Sequence, residues 1–438
     1  MRMKFNKSSQ LLLASAVSLL AAGLLAACGS DTTDFVFVAS SKAISSSNQN
    51  GQIDVFEINS VSGAMRQIST SPFPSGGRNP VAEAVSPDNT TLYVVNQDDD
   101  TIVQFTIGND GKLYPQNTVN TPGAYPLAVA ANGSNLFVLD TWQPLATCST
   151  EAPCSGSIAV YPILTAAQAQ LLTPSEPADT LGTAVTNPAN SKTYWPLTLP
   201  SSTGDLIEPT AINVLASGAY LYVTAYDWTT KTNYIFGFSV GAGGALSALN
   251  GGVPLLAGGA FATGTCPSAY VNAPYSAGTC PSAIASATDS TTEAQYVYVT
   301  DSKNGVVHGY SVASGTGLLT ALSGSPFSAG DQPSAIAVDP KYSYAYVTNA
   351  GDNNIQAYSI SGGALPSIGL YAAGIQPVAI GIDPSTNHFV FTANYLGGNV
   401  SDFQMSATAG TLINTQGSPY AGSAQLTAVA AVPHGGSH

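Results

Sequence analysis

The stretch YAYVTNAGDNNIQAYSI (residues 344–360) alternates apolar and polar side chains on both sides of a polar turn. Alternation with a period of two is typical of strands whose side chains project to opposite faces of a sheet. The turn contains Asn, Asp and Gly, which favour tight hairpins. The stretch therefore predicts a β-hairpin, and the rest of the chain decides whether that hairpin is isolated or repeated.

Self-comparison indicates that the hairpin is one copy in an array. The segment AIAVDPKYSYAYVTNAGDNNIQAYSI recurs as AIGIDPSTNHFVFTANYLGGNVSDFQM and as AEAVSPDNTTLYVVNQDDDTIVQFTI, with weaker copies elsewhere. Each copy contains a small inner strand, an aromatic second strand, a third strand and a weaker fourth strand. Four-stranded units that repeat at roughly 45 residues predict an all-β propeller. Helical periodicity, which an ankyrin or tetratricopeptide array would have, is not visible.

The two ends of the array are predicted to share one blade. The array starts with a second strand (FVFVAS) and a third strand (QIDVFEI), and it ends with LTAVAAVP, which resembles an inner strand with nothing after it. Joining the ends completes a four-stranded antiparallel blade and removes the exposed sheet edges. We therefore predict a seven-bladed β-propeller over 35–433 and a tail over 434–438. The inner strands are predicted to start near Val81, Leu127, Thr210, Ser282, Ser334, Val378 and Thr427.

Two motifs within the repeats resemble a known family. YVTN at Tyr346–Asn349 resembles the YVTN repeats of extracytoplasmic propellers, and ANYLGGNV at Ala393–Val400 is similar to a hairpin of the seven-bladed lactonase family. That family includes 6-phosphogluconolactonase-like proteins. The resemblance implies the seven-bladed fold and raises lactone hydrolysis as an activity. Because one propeller scaffold hosts many functions, the activity has to be argued from the site.

The N-terminal segment predicts export and lipidation. Basic residues precede an apolar run over 11–27, and the LAAC that follows matches the lipobox of bacterial lipoproteins. We predict a signal peptide over 1–27, an acylated Cys28 that binds the lipid bilayer, and a tether over 28–34. Gly29 after the cysteine is similar to the signal that sorts lipoproteins to the outer membrane. An ordinary signal peptide or an anchor helix is the alternative.

Composition and charge exclude several classes of partner. The chain has 11 basic and 25 acidic residues, a formal net charge of −14, and three of the basic residues lie in the leader. An acidic body repels phosphate backbones, so nucleic acid is not a predicted partner. The acidic run Asp98–Asp100 suggests calcium, but it aligns with a hairpin turn, where Asx residues are common. We predict no metal, no cofactor and a monomer.

The remaining cysteines form two local pairs, Cys148 with Cys154 and Cys266 with Cys280. In an oxidising compartment such pairs predict two disulfides. Crossed pairing stays open, since four cysteines allow three connectivities. A zinc site is the alternative, but no histidine lies near either pair.

Long insertions are predicted near 141–156, 165–205 and 257–282. The first and third carry the cysteine pairs and emerge on the same face of the propeller; the face of the second is left open. Loops elaborated on a rigid scaffold commonly carry function. We predict an aromatic contact rim made of Tyr125, Trp142, Trp228, Tyr270 and Tyr275. The alternative is that these rings only pack their own loops.

The channel and its mouth provide the candidate catalytic residues. Glu83 replaces the Val or Ile that the other inner strands carry at its register position, and Asn213 replaces an Ala or Gly one position further on. A buried unpaired carboxylate is costly, and its pKa rises. We predict a catalytic role for Glu83, Asn213 and Arg78, with a hydrogen-bonded structural Glu83 as the alternative. The predicted binding residues at the mouth and rim are Tyr125, Trp142, Glu208, Trp228, Gln332 and Gln376.

Two functions are consistent with these features. The leading hypothesis is an acyl-anchored propeller that binds a protein or glycan at the cell envelope through the face that carries the insertions. The alternative is a lactonase-like hydrolase that acts on an uncharged or weakly charged lactone in the central channel. Phosphorylated lactones would require a basic pocket, and Arg78 is the one basic residue near the predicted mouth.

The lipobox makes one direct prediction. Replacing Cys28 by Ala should abolish metabolic labelling with fatty acid and leave the chain unprocessed or released, because no other cysteine lies in the leader. Radiolabelled palmitate incorporation, followed by electrophoresis, measures this. A Cys28→Ala variant that is still labelled would rule out the lipoprotein hypothesis.

Overall fold

The computed structural model describes residues 32–60, 62–148, 152–200, 204–255, 281–339, 341, 343–384 and 389–434. The strands form seven antiparallel sheets, and their inner strands contact one another in sequence around a closed ring. The fold is therefore the predicted seven-bladed β-propeller. Within these ranges, no helix has both the length and the apolar character needed to cross a membrane.

The strands follow the predicted order of inner, second, third and fourth strand in each blade. In the first three blades, and starting from the second strand of the first, they are β1 (Thr32–Ser40), β2 (Gln52–Asn59), β3 (Met65–Gln67), β4 (Phe73–Pro74), β5 (Pro80–Val85), β6 (Thr91–Asn96), β7 (Thr101–Ile107), β8 (Leu113–Asn120), β9 (Ala124–Ala131), β10 (Asn135–Trp142), β11 (Ser157–Pro162) and β12 (Trp195–Pro196). The fourth and fifth blades contain β13 (Ile207–Val214), β14 (Tyr220–Asp227), β15 (Thr232–Val240), β16 (Leu246–Ala248), β17 (Ala283–Thr288), β18 (Gln295–Asp301), β19 (Val306–Val312), β20 (Leu319–Ala321) and β21 (Phe327–Ser328).

The sixth and seventh blades contain β22 (Pro333–Val338), β23 (Tyr344–Asn349), β24 (Asn354–Ser359), β25 (Ser367–Ala372), β26 (Pro377–Ile382), β27 (Phe389–Asn394), β28 (Asn399–Met405), β29 (Leu412–Asn414) and β30 (Tyr420–Ala421), and the last strand is β31 (Leu426–Pro433). The helical elements are short: α1 (Ala166–Ala169) and 3₁₀ turns at Gln97–Asp99, Ala242–Gly244 and Leu249–Gly252. All seven inner strands lie where the repeat predicted them. The second strands are rich in β-branched and aromatic residues, which suit a buried pleated surface.

The last strand closes the ring. β31 pairs antiparallel with β1, from Asp34 opposite Pro433 to Ser40 opposite Leu426, and so supplies the inner strand of the first blade. The Thr427 hydroxyl also donates a 2.7 Å hydrogen bond to the carbonyl oxygen of Pro80 in the second blade. Because β31 keeps β1 from becoming the inner edge of its sheet and joins the two ends of the array, closure of the ring depends on the last strand.

Buried tyrosines join four of the seven blades to the blade that follows. In four blades a fully buried tyrosine of the second strand donates its hydroxyl hydrogen to a backbone carbonyl oxygen of the following blade, at 2.7–2.9 Å. The donor and acceptor pairs are Tyr93 with Asp179, Tyr222 with Gly317, Tyr298 with Gly363 and Tyr346 with Gly410. A tyrosine hydroxyl that is hydrogen-bonded can be buried at little penalty. These interfaces therefore combine apolar packing with a hydrogen bond that fixes the position of one blade relative to the next.

In three of the four pairs the acceptor is a glycine, and sterics require it there. A Cβ at Gly317 would lie 2.5 Å from the ring of Tyr220, and a Cβ at Gly410 would lie 2.3 Å from the ring of Tyr344. Both glycines have positive φ angles, +68° and +64°, a backbone conformation that residues with a side chain rarely adopt. The turn between the third and fourth strands therefore needs glycine where the neighbouring blade packs against it.

The inner strands line a central channel. β5 and β26 are half-buried along most of their length, whereas the adjacent second strands, β6 and β27, are buried throughout. Because the inner strands occupy the centre of the ring, the exposure has to face the channel. A site in the channel would therefore be formed by side chains of the inner strands, such as Glu83 of β5.

The strand order defines two faces. The hairpin after β1 and the loop before β31 lie on one face, since Ser40 Oγ donates a 2.5 Å hydrogen bond to the Ala424 carbonyl oxygen. We call this the mouth face. The insertion between β11 and β12 connects a third strand to a fourth strand and therefore lies on the opposite face, where it contributes the carbonyl of Asp179 to the interface described above. Sequence reasoning left this face open because the two-residue β12 has no recognisable pattern.

Removing 425–438 should unfold or aggregate the protein. The deletion takes away the buried Leu426 and Val432, each worth about 1.5–3 kcal/mol, and exposes β1 as an edge strand. The matched control removes 435–438 and keeps β31 whole. Thermal unfolding by circular dichroism and size-exclusion chromatography should separate the two truncations. Equal melting temperatures would mean that the ring does not depend on β31.

Candidate functional site

The channel mouth is ringed by the residues that precede the inner strands. Several of them adopt left-handed backbone conformations with φ between 53° and 59°: Asn79, Tyr125, Gln332, Gln376 and Gln425. The carbonyl oxygens of Asn79, Gln332 and Gln376 each accept a hydrogen bond of 2.8–2.9 Å from an amide of the hairpin in the same blade. Left-handed geometry is strained for these residues and is kept only where surrounding contacts enforce it. The mouth is thus a rigid, preformed ring.

Glu208 occupies the equivalent place in the fourth blade. Its side chain is only 8% exposed, and its Oε2 accepts a hydrogen bond from the indole Nε1 of Trp228. The indole is held in turn by an edge-to-face contact with Tyr226, with ring centroids 4.8 Å apart. The ammonium of Lys231 lies 4.8 Å from the centre of the Trp228 ring. The carboxylate is therefore oriented by a ring that is itself fixed on two sides.

Burial raises the pKa of Glu208 to about 7, and the hydrogen bond from Trp228 partly opposes the shift. A carboxyl group with this pKa is half ionised near neutral pH. General bases work best when their pKa lies near the working pH. Glu208 can therefore take a proton from a water molecule at the mouth and return it later in a reaction.

Glu83 has a different environment, deeper in β5. Both of its carboxylate oxygens are buried and have no hydrogen-bond partner among the described residues. Burial raises the pKa of Glu83 to about 8, and the charge of Asp54 adds to the shift. Glu83 is therefore protonated at neutral pH, and it lacks the donor that orients Glu208. The alternative was a structural Glu83 held by hydrogen bonds, and the described part of the chain provides no hydrogen-bond partner for it.

Arg78 is engaged by the acidic hairpin of its own blade. Its guanidinium lies 2.6 Å from Asp99 Oδ1 and donates to the Asp98 carbonyl oxygen at 2.8 Å. Asp98 Oδ1 accepts a 3.1 Å hydrogen bond from Asn79, and Asp100 Oδ1 accepts one of 2.7 Å from the amide of Tyr125. The acidic run thus has Asx-type loop contacts. Within the described ranges, no group of three or more His, Cys, Asp and Glu could hold a metal ion.

The aromatic rim differs in part from the prediction. Tyr125 is exposed, but Trp142 is only 3% exposed and packs edge to face against Tyr125, with ring centroids 4.9 Å apart. Trp142 therefore supports the rim from below and is not a surface anchor, because the apolar ring is better buried than solvated. Asn213 has a buried Oδ1 without a hydrogen-bond partner in the described residues. Tyr270 and Tyr275 lie outside the described residues.

The cysteine prediction is confirmed for one pair. Cys148 and Cys154 form a disulfide with an S–S distance of 2.05 Å. Cys28, Cys266 and Cys280 lie outside the described residues. The confirmed bridge closes a loop in the insertion that follows β10, on the mouth face.

The sequence predicted Glu208 among the mouth residues but not its hydrogen bond from Trp228. The two residues are 20 positions apart and meet because β13 pairs with β14, with Glu208 opposite Tyr226. Aligning the repeats by strand register would have placed Trp228 at the start of the hairpin beside the mouth. Register alone does not reveal the rotamer that turns the indole towards the carboxylate.

The sequence and the fold agree on the family. Residues 34–174 and 290–429 match the model of the lactonase family, described as a seven-bladed β-propeller. The matched ranges cover more than half of the chain, so this protein belongs to the lactonase family of seven-bladed propellers. No protein of curated function matches the chain significantly.

Solved structures share the fold along almost the whole chain. A periplasmic gluconolactonase from Pseudomonas aeruginosa is 17% identical, with a TM-score of 0.60, over 92% of this chain and 99% of that chain. A candidate 6-phosphogluconolactonase from Bacteroides uniformis is 18% identical, with a TM-score of 0.61, over 92% of this chain and 100% of that chain. At these identities the similarity establishes the propeller fold.

Glu83→Gln should stabilise the protein at alkaline pH. The pKa of Glu83 is higher in the folded state, about 8, than its ordinary value of 4.5, so the wild type loses stability as pH rises from about 4.5 to about 8. The neutral amide removes this loss, and the expected gain at pH 8 is on the order of a few kcal/mol. Below pH 4.5 the two proteins should unfold alike.

Urea unfolding at several pH values measures this difference. Glu176→Gln on the insertion is the matched control, because it makes the same exchange away from the channel, and it should leave the pH dependence unchanged. A Glu83→Gln variant whose stability follows the wild type at every pH would contradict the buried, protonated state of Glu83.

Proposed function

We propose that this protein is an extracytoplasmic lactone hydrolase that uses Glu208 at the channel mouth as its general base. The observation that carries the proposal is the environment of that carboxylate: buried at the mouth, oriented by Trp228, with a pKa of about 7, in a member of the lactonase family. Family membership supports hydrolysis better than it supports the binding of a protein or glycan partner.

The proposed reaction is the opening of a lactone ring by water. The ionised Glu208 removes a proton from a water molecule, whose oxygen attacks the lactone carbonyl carbon. The tetrahedral intermediate then collapses, the bond between the carbonyl carbon and the ring oxygen breaks, and Glu208 returns the proton to the departing oxygen. The product is the open hydroxy acid. The indole of Trp228 does not react; it holds the carboxylate in position.

The substrate is proposed to be uncharged at its substituents. Arg78 at the mouth is paired with Asp99 and with the Asp98 carbonyl, so binding a phosphate to it would require breaking those contacts, and the ammonium of Lys231 faces the ring of Trp228. The acidic chain, with a formal net charge of −14, also repels anions. Both features argue against a phosphorylated lactone.

The location is proposed to be the periplasmic side of the cell envelope, with Cys28 as the lipid anchor at the outer membrane. The lipobox supports the anchor, and the similar structure from Pseudomonas aeruginosa is named a periplasmic protein. β1 ends at the mouth face with Ser40, so Thr32, at its other end, lies on the opposite face. Because β1 begins at Thr32, a tether of 28–31 would leave the mouth facing away from the bilayer.

Glu208→Gln should abolish most lactone turnover. Loss of a general base typically lowers the rate by about 10²–10⁴-fold. Hydrolysis of D-glucono-δ-lactone and δ-valerolactone, followed by pH-stat with the spontaneous rate subtracted, measures it. In the wild type, kcat/KM should fall as pH decreases through about 7, because protonated Glu208 cannot act as a base.

Trp228→Phe tests whether the indole N–H positions the Glu208 carboxylate, because phenylalanine keeps an aromatic ring and removes the hydrogen-bond donor. The indole hydrogen bond lowers the pKa of Glu208, so its removal should move the inflection of the pH profile upwards. Glu176→Gln is the control that should retain turnover. If Glu83→Gln abolishes hydrolysis while Glu208→Gln retains it, the base is Glu83. If the wild type hydrolyses neither lactone, this proposal is wrong.

A further inference from the structure

The hairpin after β14 carries a lysine at a position where equivalent hairpins carry residues suited to left-handed geometry. Five hairpins share one register, and their closing pairs are Asn96 with Thr101, Asp227 with Thr232, Asp301 with Val306, Asn349 with Asn354 and Asn394 with Asn399. The residue just before the third strand has a φ between 54° and 64° in all five: Asp100, Lys231, Gly305, Asn353 and Gly398. Gly, Asn and Asp adopt this conformation most readily, so Lys231 is the exception.

The turn does not need a lysine for its own fold. The amide of Lys231 donates a 2.8 Å hydrogen bond to the carbonyl oxygen of Asp227, and Gly305 makes the same type of contact in the fifth blade. The amide of Trp228 donates to the Leu206 carbonyl oxygen at 2.9 Å, which joins the turn to the segment before β13. Strained residues persist where surrounding contacts hold them, and they are concentrated at functional sites.

The side chain of Lys231 lies over the ring that orients Glu208. Its Nζ is 4.8 Å from the centre of the Trp228 ring, within the range of a cation–π contact. The same indole donates through Nε1 to Glu208 Oε2, and Tyr226 contacts the ring edge to face. An ammonium, an indole and a carboxylate are therefore arranged in series, and each contacts the next.

A cation on the face of an indole strengthens the hydrogen bond that the indole donates. The ammonium draws electron density from the ring and leaves the N–H more positive. Hydrogen bonds in series polarise one another by about 10–30% per bond, and the cation acts in the same direction. The other charged groups on the segments around the ring are Asp205, before β13, and Asp227, whose carboxylate accepts a 2.8 Å hydrogen bond from the Thr229 amide. The gain favours the ionised form of Glu208, because that form accepts the stronger hydrogen bond.

We infer that Lys231 is a positioning residue, which holds and polarises the indole of Trp228 and so strengthens the hydrogen bond to Glu208. This inference rests on the proposed function, because it assigns Lys231 a part in the ionisation of the proposed base. Lys231 acts through the ring and does not contact the substrate in this role. The strain of a left-handed lysine is thus accepted because glycine would leave the ring without its cation.

The carboxyl ¹³C resonance of Glu208 tests the inference without a substrate. The protein is labelled with glutamate that carries ¹³C at its carboxyl carbon, and Glu208→Gln identifies the resonance. The wild type should titrate near pH 7. Lys231→Met should move the midpoint upwards by about 0.2–0.6 in pH, because the ionised form is less well stabilised.

Two further substitutions of Lys231 make the test specific. Lys231→Arg should keep the midpoint near the wild-type value, since a guanidinium also stacks on aromatic rings. Lys231→Gly should shift the midpoint as Lys231→Met does, and it should fold because Gly305 and Gly398 occupy this place in other blades. Where turnover is measurable, the inflection of kcat/KM should move with the carboxyl midpoint.

Lys192→Met is the matched control. The Nζ of Lys192 lies 5.1 Å from the centre of the Tyr194 ring, in the insertion between β11 and β12 on the face opposite the mouth. The substitution removes the same charge and the same type of contact at a distant place. The midpoint of Glu208 should therefore remain that of the wild type.

A double-mutant cycle with Trp228→Phe shows whether Lys231 acts through the indole. Phenylalanine keeps a ring beneath the ammonium but has no N–H to donate. Lys231→Met should therefore add no further shift when Trp228 is already replaced by Phe. A shift of equal size in both backgrounds would mean that the charge of Lys231 acts on Glu208 through space, and it would overturn the inference.

The outcomes also separate this inference from the proposed function. An unchanged midpoint in Lys231→Met and Lys231→Gly overturns the role of Lys231, and the hydrolase proposal stands if Glu208→Gln still abolishes turnover. If no lactone is hydrolysed, the hydrolase proposal is wrong, and the carboxyl titration decides the role of Lys231 by itself.

Discussion

Four interfaces between neighbouring blades share one contact: a buried tyrosine hydroxyl donates to a carbonyl oxygen in the following blade, as Tyr346 does to Gly410. An apolar interface alone would let neighbouring sheets slide, because the hydrophobic effect has no direction. A buried hydroxyl that lost its acceptor would remain unsatisfied, so each hydrogen bond defines the position of the next blade. The glycine at the acceptor turn lets the blades approach closely enough for the bond to form.

Closing a ring of radial sheets leaves the inner strands without a partner on one side, and this produces the channel. The loops before those strands meet at the mouth, where strained left-handed residues such as Gln376 are held by hairpin amides. The scaffold thus supplies a rigid ring of equivalent positions. Different residues at these positions, such as Glu208 in the fourth blade and Tyr125 in the third, give the mouth chemical asymmetry within one repeated backbone.

The two channel carboxyl groups illustrate how environment divides similar residues. Glu83 is buried without a hydrogen-bond donor, and its pKa rises to about 8, so it is protonated at neutral pH. Glu208 is also buried, but the indole of Trp228 stabilises its ionised form, and its pKa is about 7. Besides burial, the hydrogen bond from Trp228 lowers the pKa of Glu208, and the charge of Asp54 raises that of Glu83. The pairing of Arg78 with Asp99 offsets the positive charge of Arg78 at the mouth.

The sequence alone determined the class of fold, the number of blades, the start of every inner strand and the closure by β31, because a repeated alternation reports burial along each strand locally. It also identified Glu83, Glu208 and the Cys148–Cys154 pair. Only the tertiary structure decided that Trp142 is buried, that Arg78 is engaged, and that Trp228 orients Glu208. These properties depend on which side chains meet across strands and loops, and strand periodicity carries no information about rotamers or partners.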